Sequence, residues 1–162
     1  MEIRYILPDD DLSEIGGVYE RSWKYAYKNI IPQDYLDRIS GDGWIDGINK
    51  DGRKSIVAVE NGMIIGTSCF CRSRWENYVG YGEIVSLYLL PEYMGKGYGG
   101  DLLSRAVKEL NLLGFQKILL WVLEDNKRAW KFYEKHGFVF SGEYKEDNIG
   151  GKKLREMLGR YQ

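Results

Sequence analysis

Glu83-Ile84-Val85-Ser86-Leu87-Tyr88-Leu89-Leu90-Pro91-Glu92-Tyr93-Met94-Gly95-Lys96-Gly97-Tyr98-Gly99-Gly100 is the stretch on which the fold turns. Glu83 to Leu90 is an apolar-rich run of strand length. The segment that follows places Gly95, Gly97, Gly99 and Gly100 within a few residues and opens an amphipathic pattern over Gly99 to Leu113. Leu103, Ala106, Val107, Leu110 and Leu113 recur there at helical steps. A glycine-rich turn between a strand and a helix lets the backbone approach a bulky anion and aim its N–H groups at it. The helix N-terminus adds unpaired donors and partial positive charge, so a phosphate or pyrophosphate site is expected.

The loop satisfies G-x-G-x-x-G through Gly95, Gly97 and Gly100, and Glu124 stands near the place of a ribose-binding acid. A dinucleotide-binding oxidoreductase is therefore a rival. Against it, Pro91 to Met94 separate the strand from the first glycine, and too few βαβ units follow. No G-x-x-x-x-G-K-[ST] occurs, which excludes a Walker loop.

At the start of the chain, Glu2 to Leu7 reads as a first strand. Leu12, Ile15, Tyr19, Trp23, Ala26, Tyr27 and Ile30 form one helical stripe, and Pro32 opens a second helix over Gln33 to Ile39. Gly41 to Gly52 reads as loop with one further turn. Ser55 to Glu60 and Met63 to Arg72 flank Asn61-Gly62, a strong hairpin signal. Lys117 to Val122 has strand length, and Lys127 to His136 reads as a helix closed by Gly137. Phe138 to Tyr144 and Lys152 to Arg160 read as a last strand pair around Gly150-Gly151, with Lys153 to Leu158 also compatible with helix. This order predicts an α/β protein with one mixed, twisted sheet of six to seven strands and helices on both faces, in a single domain over residues 1–162.

Composition narrows the chemistry. The 162 residues are 44% hydrophobic and 29% charged, with a net charge of -1, so a phosphate-neutralising nucleic-acid binder is disfavoured. No apolar run reaches the ~20 residues of a membrane span, and the start lacks a secretory pattern, so a cytoplasmic location is expected. His136 is the one histidine and Cys69 and Cys71 the two cysteines, which leaves no credible metal set. The cysteines read as strand packing, and His136 as a partner of its helix's C-terminal dipole. The terminal strands invite pairing as a homodimer.

Glu83 to Gly99 resembles the central motif of the GNAT superfamily of N-acetyltransferases. Asn126-Lys127-Arg128-Ala129-Trp130-Lys131-Phe132-Tyr133-Glu134-Lys135-His136-Gly137-Phe138 is similar to its second motif. Both stand in the family's order and spacing, and the resemblance covers nearly the whole chain. The family loop is written [QR]-x-x-G-x-[GA]. Met94 takes the place of Gln or Arg, which removes a side-chain contact and leaves the backbone cradle.

The resemblance implies direct acetyl transfer from acetyl-CoA to a small-molecule or peptide amine in a ternary complex, without a metal. Gly95, Lys96, Gly97, Tyr98, Gly99 and Gly100 would hold the pyrophosphate. Leu87, Tyr88 and Leu89 would pair with the pantetheine arm, Leu89 lending a donor near the thioester carbonyl. Asn126 would cap its helix and touch the cofactor. The first two helices would wall the acceptor pocket, with Trp23 and Tyr27 meeting the substrate; Tyr35, Glu20 and Asp34 lie in the same region.

Two residues carry the expected chemistry. Glu83 alternates onto the face of Val85, Leu87 and Leu89 and stands fourteen residues before Gly97, the family position of a strand base. It reads equally as a strand-end acid paired with a nearby Lys or Arg. Tyr133 reads as a packed core tyrosine or, by resemblance, as the acid that reprotonates the leaving thiolate. A non-catalytic acyl-CoA-sensing module is a further alternative.

Overall fold

A computed structural model describes residues 1–162. Strand β1 (Glu2–Tyr5) leads to helices α1 (Leu12–Ala26), α2 (Gln33–Arg38) and α3 (Asp42–Ile45). Strands β2 (Lys54–Glu60), β3 (Met63–Arg72) and β4 (Gly82–Leu89) follow, then α4 (Tyr98–Leu112), β5 (Ile118–Leu123), α5 (Lys127–Lys135), β6 (Phe138–Ile149) and β7 (Lys152–Tyr161). The seven strands form one sheet in the order β1-β2-β3-β4-β5-β7-β6. β4 and β5 form its one parallel pair. This is the mixed α/β sheet that the element order predicts. A doubly wound dinucleotide fold needs a run of parallel pairs and does not fit it.

Helices cover both faces. Ser55 to Ala58 of β2 and Ile64 to Cys71 of β3 are buried without interruption, so neither face of the central strands meets water. On one face Tyr19 of α1 hydrogen-bonds Ser86 of β4 at 2.9 Å. On the other, the Tyr5 hydroxyl donates to Glu109 of α4 at 2.7 Å. Leu102, Leu103, Ala106, Val107 and Leu110 are the buried stripe of α4. Truncating one of these leucines to Ala costs ~2–5 kcal/mol, transfer and cavity together. No helix is long and apolar enough to cross a membrane.

Two differences from the sequence pattern have physical causes. α1 stops at Ala26 although Ile30 keeps the spacing, because Tyr27 caps it and Asn29 adopts φ 69°. β6 runs to Ile149, past the expected Tyr144, and Lys153 to Leu158 is strand rather than helix. Lys145 to Asn148 are polar and carry no apolar alternation. Backbone pairing with β7 holds them, and Gly150 and Gly151 (φ 62° and 86°) turn the chain. A Cβ on Gly150 would lie 2.7 Å from that of Tyr35, so the hairpin tip seats directly on α2.

Candidate active site

The site begins where β4 and β5 part. They pair only at Gly82↔Ile118 and Glu83↔Leu119, and beyond that point they separate. A cavity of about 720 Å³ opens between Ile84–Leu89 and Leu120–Leu123. The Leu90 N–H donates to Ile65 of β3, so by antiparallel alternation the peptide groups of Leu87 and Leu89 face the gap. The buried Ser22 hydroxyl donates to the Leu89 carbonyl at 2.6 Å, anchoring this edge to α1. By the same alternation the Tyr88 backbone belongs to β3, and Tyr88 reaches the cavity with its ring, whose hydroxyl lies 3.1 Å from that of Tyr27.

The glycine loop forms one rim. Gly95 and Gly97 have φ of 77° and 91°, a backbone shape that side chains strain. Gly97 caps α4 without any side-chain hydrogen bond. The Met94 N–H goes to Pro91 and the Asp101 N–H to Gly97, but the N–H groups of residues 95 to 100 between them find no backbone acceptor. Such a row of donors at a helix N-terminus has the geometry to receive an anion. Gly100 is required by contact, since a Cβ there would lie 2.7 Å from His136 Nε2.

Helix α5 forms the opposite rim. Asn126 accepts from the Ala129 N–H at 3.3 Å and so caps it. His136 Nδ1 lies 2.8 Å from the Phe132 carbonyl at its other end. Arg128, Lys131 and Lys135 line the cavity, and no Asp or Glu does. This basic stripe was missed in the sequence, although its i, i+3, i+7 spacing on one helix face is a readable signal. Tyr133 also lines the cavity. Its pKa is raised by burial and by Tyr88, with no hydrogen bond acting on it. Burial pushes Tyr27 up to about 12. Both phenols stay protonated across the neutral range.

Glu83 is placed differently. Its register pairs it with Cys71, and Ser86 pairs with Cys69, so Val85 is an extra residue in the β4 ladder. That bulge reverses the alternation. Glu83 therefore shares the face of Ser86 and Tyr88, toward α1, and not that of Leu87 and Leu89 as simple alternation predicts. Glu83 is 1% exposed and does not line the cavity. Arg74 grips it through Nη2 at 2.7 Å, Nε at 3.2 Å and its backbone N–H at 3.1 Å, and Trp75 Nε1 adds a bond at 3.3 Å. The carboxylate in turn raises the Arg74 pKa.

The cavity thus gathers Tyr27, Leu87, Tyr88, Leu89, Gly95, Gly97, Gly99, Gly100, Asn126 and Tyr133. Lys96 and Tyr98 stay outside it as side chains, with Lys96 Nζ 5.4 Å from the Tyr93 ring centre. Trp23 is turned into the packing, edge-on to Tyr27 and against Trp44. Glu20 accepts from the Gly41 N–H, and Asp34 is exposed. Cys69 and Cys71 are buried free thiols; burial pushes Cys71 up to about 11.

Comparison with known proteins agrees with this fold. An uncharacterized N-acetyltransferase of Bacillus subtilis is 32% identical over 155 residues, covering 91% of this chain and 86% of the relative. A spermidine N(1)-acetyltransferase of Thermoplasma acidophilum is 29% identical, covering 94% of this chain and 97% of its own. A PaiA N-acetyltransferase from Thermoplasma acidophilum, solved with coenzyme A, superposes with a TM-score of 0.71 at 24% identity, over 99% of this chain and 98% of that one. The family model described as acetyltransferase (GNAT) matches residues 16–138, and the chain belongs to that family.

Proposed function

We propose that the protein transfers an acetyl group from acetyl-CoA to a primary amine by direct attack. The row of unpaired N–H groups over residues 95 to 100, at the mouth of a cavity edged by open strand β4, carries this reading. The residues fit the co-substrate. The cradle and the α5 cations Arg128, Lys131 and Lys135 suit its phosphates, and the gap-facing peptide groups of Leu87 and Leu89 suit its two amides. When bound, acetyl-CoA supplies an activated acetyl thioester.

Each residue then has one task. The Leu89 N–H faces the gap as a donor for developing oxyanion charge. The Tyr133 hydroxyl, free of protein partners and held protonated by burial, delivers its proton to the leaving sulfur. Glu83, off the cavity wall and covered by Arg74, is the carboxylate left to take the proton of the attacking amine once that guanidinium gives way. In balance, an N–C bond forms and a C–S bond breaks; of the two protons the ammonium loses, one passes by Glu83 to solvent and the other replaces the proton that Tyr133 gives to the thiolate.

Titration calorimetry with acetyl-CoA and with NAD tests the binding half. Saturable acetyl-CoA binding without NAD binding is the expected result. Thiol release on adding amines tests the chemical half. Binding without release for any amine would make the protein a sensor of acyl-CoA.

A further inference from the structure

We infer that the acceptor is a zwitterionic amine, carrying a carboxylate close to its ammonium group, which exchanges partners with the Arg74–Glu83 ion pair. This deepens the acetyl-transfer reading and rests on it. The observation behind it is a charge inventory of the α1-side face of β3, β4 and β5. Glu83 is held by Arg74. Glu156, opposite Leu123 of β5, is held by Lys145, whose ammonium lies 4.6 Å from the Trp75 ring centre and 5.3 Å from that of Trp121. Trp121 lines the cavity and meets Trp75 edge-on at 5.5 Å, which joins the ion-paired ground to the cavity wall.

One cation on this side has no counterpart. Arg53 enters no ion pair and no side-chain hydrogen bond, and its Nε is buried without a partner. Its Nη1 lies 3.7 Å from where a Cβ on Gly47 would stand, so the group is tucked beneath the α3–β2 connection. Arg53 lines a small second pocket with Tyr5, Asn49 and Lys54, and it and Arg74 are both within electrostatic range of the Cys69 and Cys71 thiols. The region holds paired carboxylates and an excess of positive charge, with no acid lining the cavity.

A polyamine does not suit that ground. It would bring further cations where each carboxylate is taken and Arg53 is uncompensated. A zwitterion does suit it. Its carboxylate meets the Arg74 fork, which matches a carboxylate bidentately, with Arg53 nearby. Its ammonium takes the place that Arg74 leaves at Glu83. Two ion pairs replace one internal pair and a free zwitterion, and no net charge is buried. The exposure of the pair favours the exchange: Arg74 is 41% exposed and Glu83 1%, so the guanidinium side is the open one. The exchange also frees Glu83 from its strongest donor at the moment an ammonium arrives to be deprotonated.

Matched amine pairs test this, with saturating acetyl-CoA and thiol release as readout. Phenylalanine is set against phenethylamine, methionine against 3-(methylthio)propylamine, and spermidine is added alone. The amino acids are expected to exceed their decarboxylated partners by about 10²-fold in kcat/KM, the scale of a charge-assisted carboxylate contact. Arg74→Lys, which keeps the charge and loses the fork, should cut that ratio by about tenfold, mostly through KM. Arg53→Gln, which removes no existing partner, should cut it as well. Equal rates within the pairs, or spermidine as the best acceptor, would overturn the inference and leave acetyl transfer standing. Acetyl-CoA binding with no turnover of any amine would overturn the transfer reading itself, and the inference with it.

Discussion

The two ends of β4 treat polar groups in opposite ways. Past its C-terminal end, the N–H groups of residues 95 to 100 have no acceptor. At its N-terminal end, the Glu83 carboxylate has donors from Arg74 and Trp75 on both oxygens. Donors left open around a cavity are completed by water or by a ligand, which is why the cofactor's phosphates are proposed at the first end. A satisfied buried ion pair resists losing one partner unless another charge takes its place. On the proposed function, the open donors serve the cofactor's phosphates and the ion pair serves the acceptor.

Filling the open end should have the largest effect. Gly97→Glu puts a side chain on a residue with φ 91° and a negative charge into the cradle. Each charge-assisted bond is worth ~1.5–3 kcal/mol, so losing several should weaken acetyl-CoA binding by about 10⁴-fold or more. Calorimetry on a folded variant measures it, and unchanged affinity would empty the cradle of its meaning.

Tyr133→Phe comes next. It removes a hydroxyl that no protein group holds, so packing and acetyl-CoA affinity should persist. Turnover should fall by about 10³-fold, within the usual range for a positioned acid. The raised pKa places any alkaline loss of activity from this group above its ordinary value of 10, so the wild-type profile should show no Tyr133 limb near neutrality. An unchanged chemical rate would leave it a packing residue.

Legibility in the sequence divides along the same line. The strand–glycine loop–helix turn could be read because glycine spacing, a preceding strand and a following helix are all local. The α1 and α4 stripes could be read because period and burial coincide. The direction of Glu83 could not be read, since Val85 inserts one residue into the ladder and reverses every face before it. Arg74 was silent as well. It lies in the β3–β4 connection, and only the fold brings it against Glu83. β6 ran longer than its apolar pattern because pairing with β7 needs no buried side chains. Trp23 read as a pocket residue and is packed instead, because Trp44 from a glycine-rich stretch comes back to cover it.

The occupied end is probed by Glu83→Gln, which keeps the shape, removes the charge and replaces one of the two acceptor oxygens by an NH2 that cannot accept from Arg74 or Trp75. Arg74 is half-exposed and can rehydrate, so the stability loss should be modest, ~1–2 kcal/mol. The rate loss should reach about 10²-fold where the acceptor is an ammonium. It should shrink as pH approaches the acceptor's own pKa, where free amine needs no base. A pH–rate profile of both proteins on one amine reads this. A loss uniform in pH would assign Glu83 to positioning alone.

The smallest effect separates cost from use. If open polar groups are kept for ligands, removing one that serves recognition should stabilise the unliganded protein. Arg53→Met is the test. Methionine keeps an unbranched apolar stem of similar reach and lacks the buried Nε that finds no partner. An unpaired buried polar group costs ~1–3 kcal/mol, and Arg53 is only half-buried, so a gain of about 1 kcal/mol is expected. For a chain of this size that raises Tm by about 2–4 °C. The same variant should lose selectivity for the carboxylate-bearing amine over its decarboxylated partner. A higher Tm with reduced selectivity would show that the fold carries an unsatisfied cation for its acceptor. A lower Tm would mean that the guanidinium is already satisfied without a ligand, and the contrast between the two ends of β4 would then rest on the glycine loop alone.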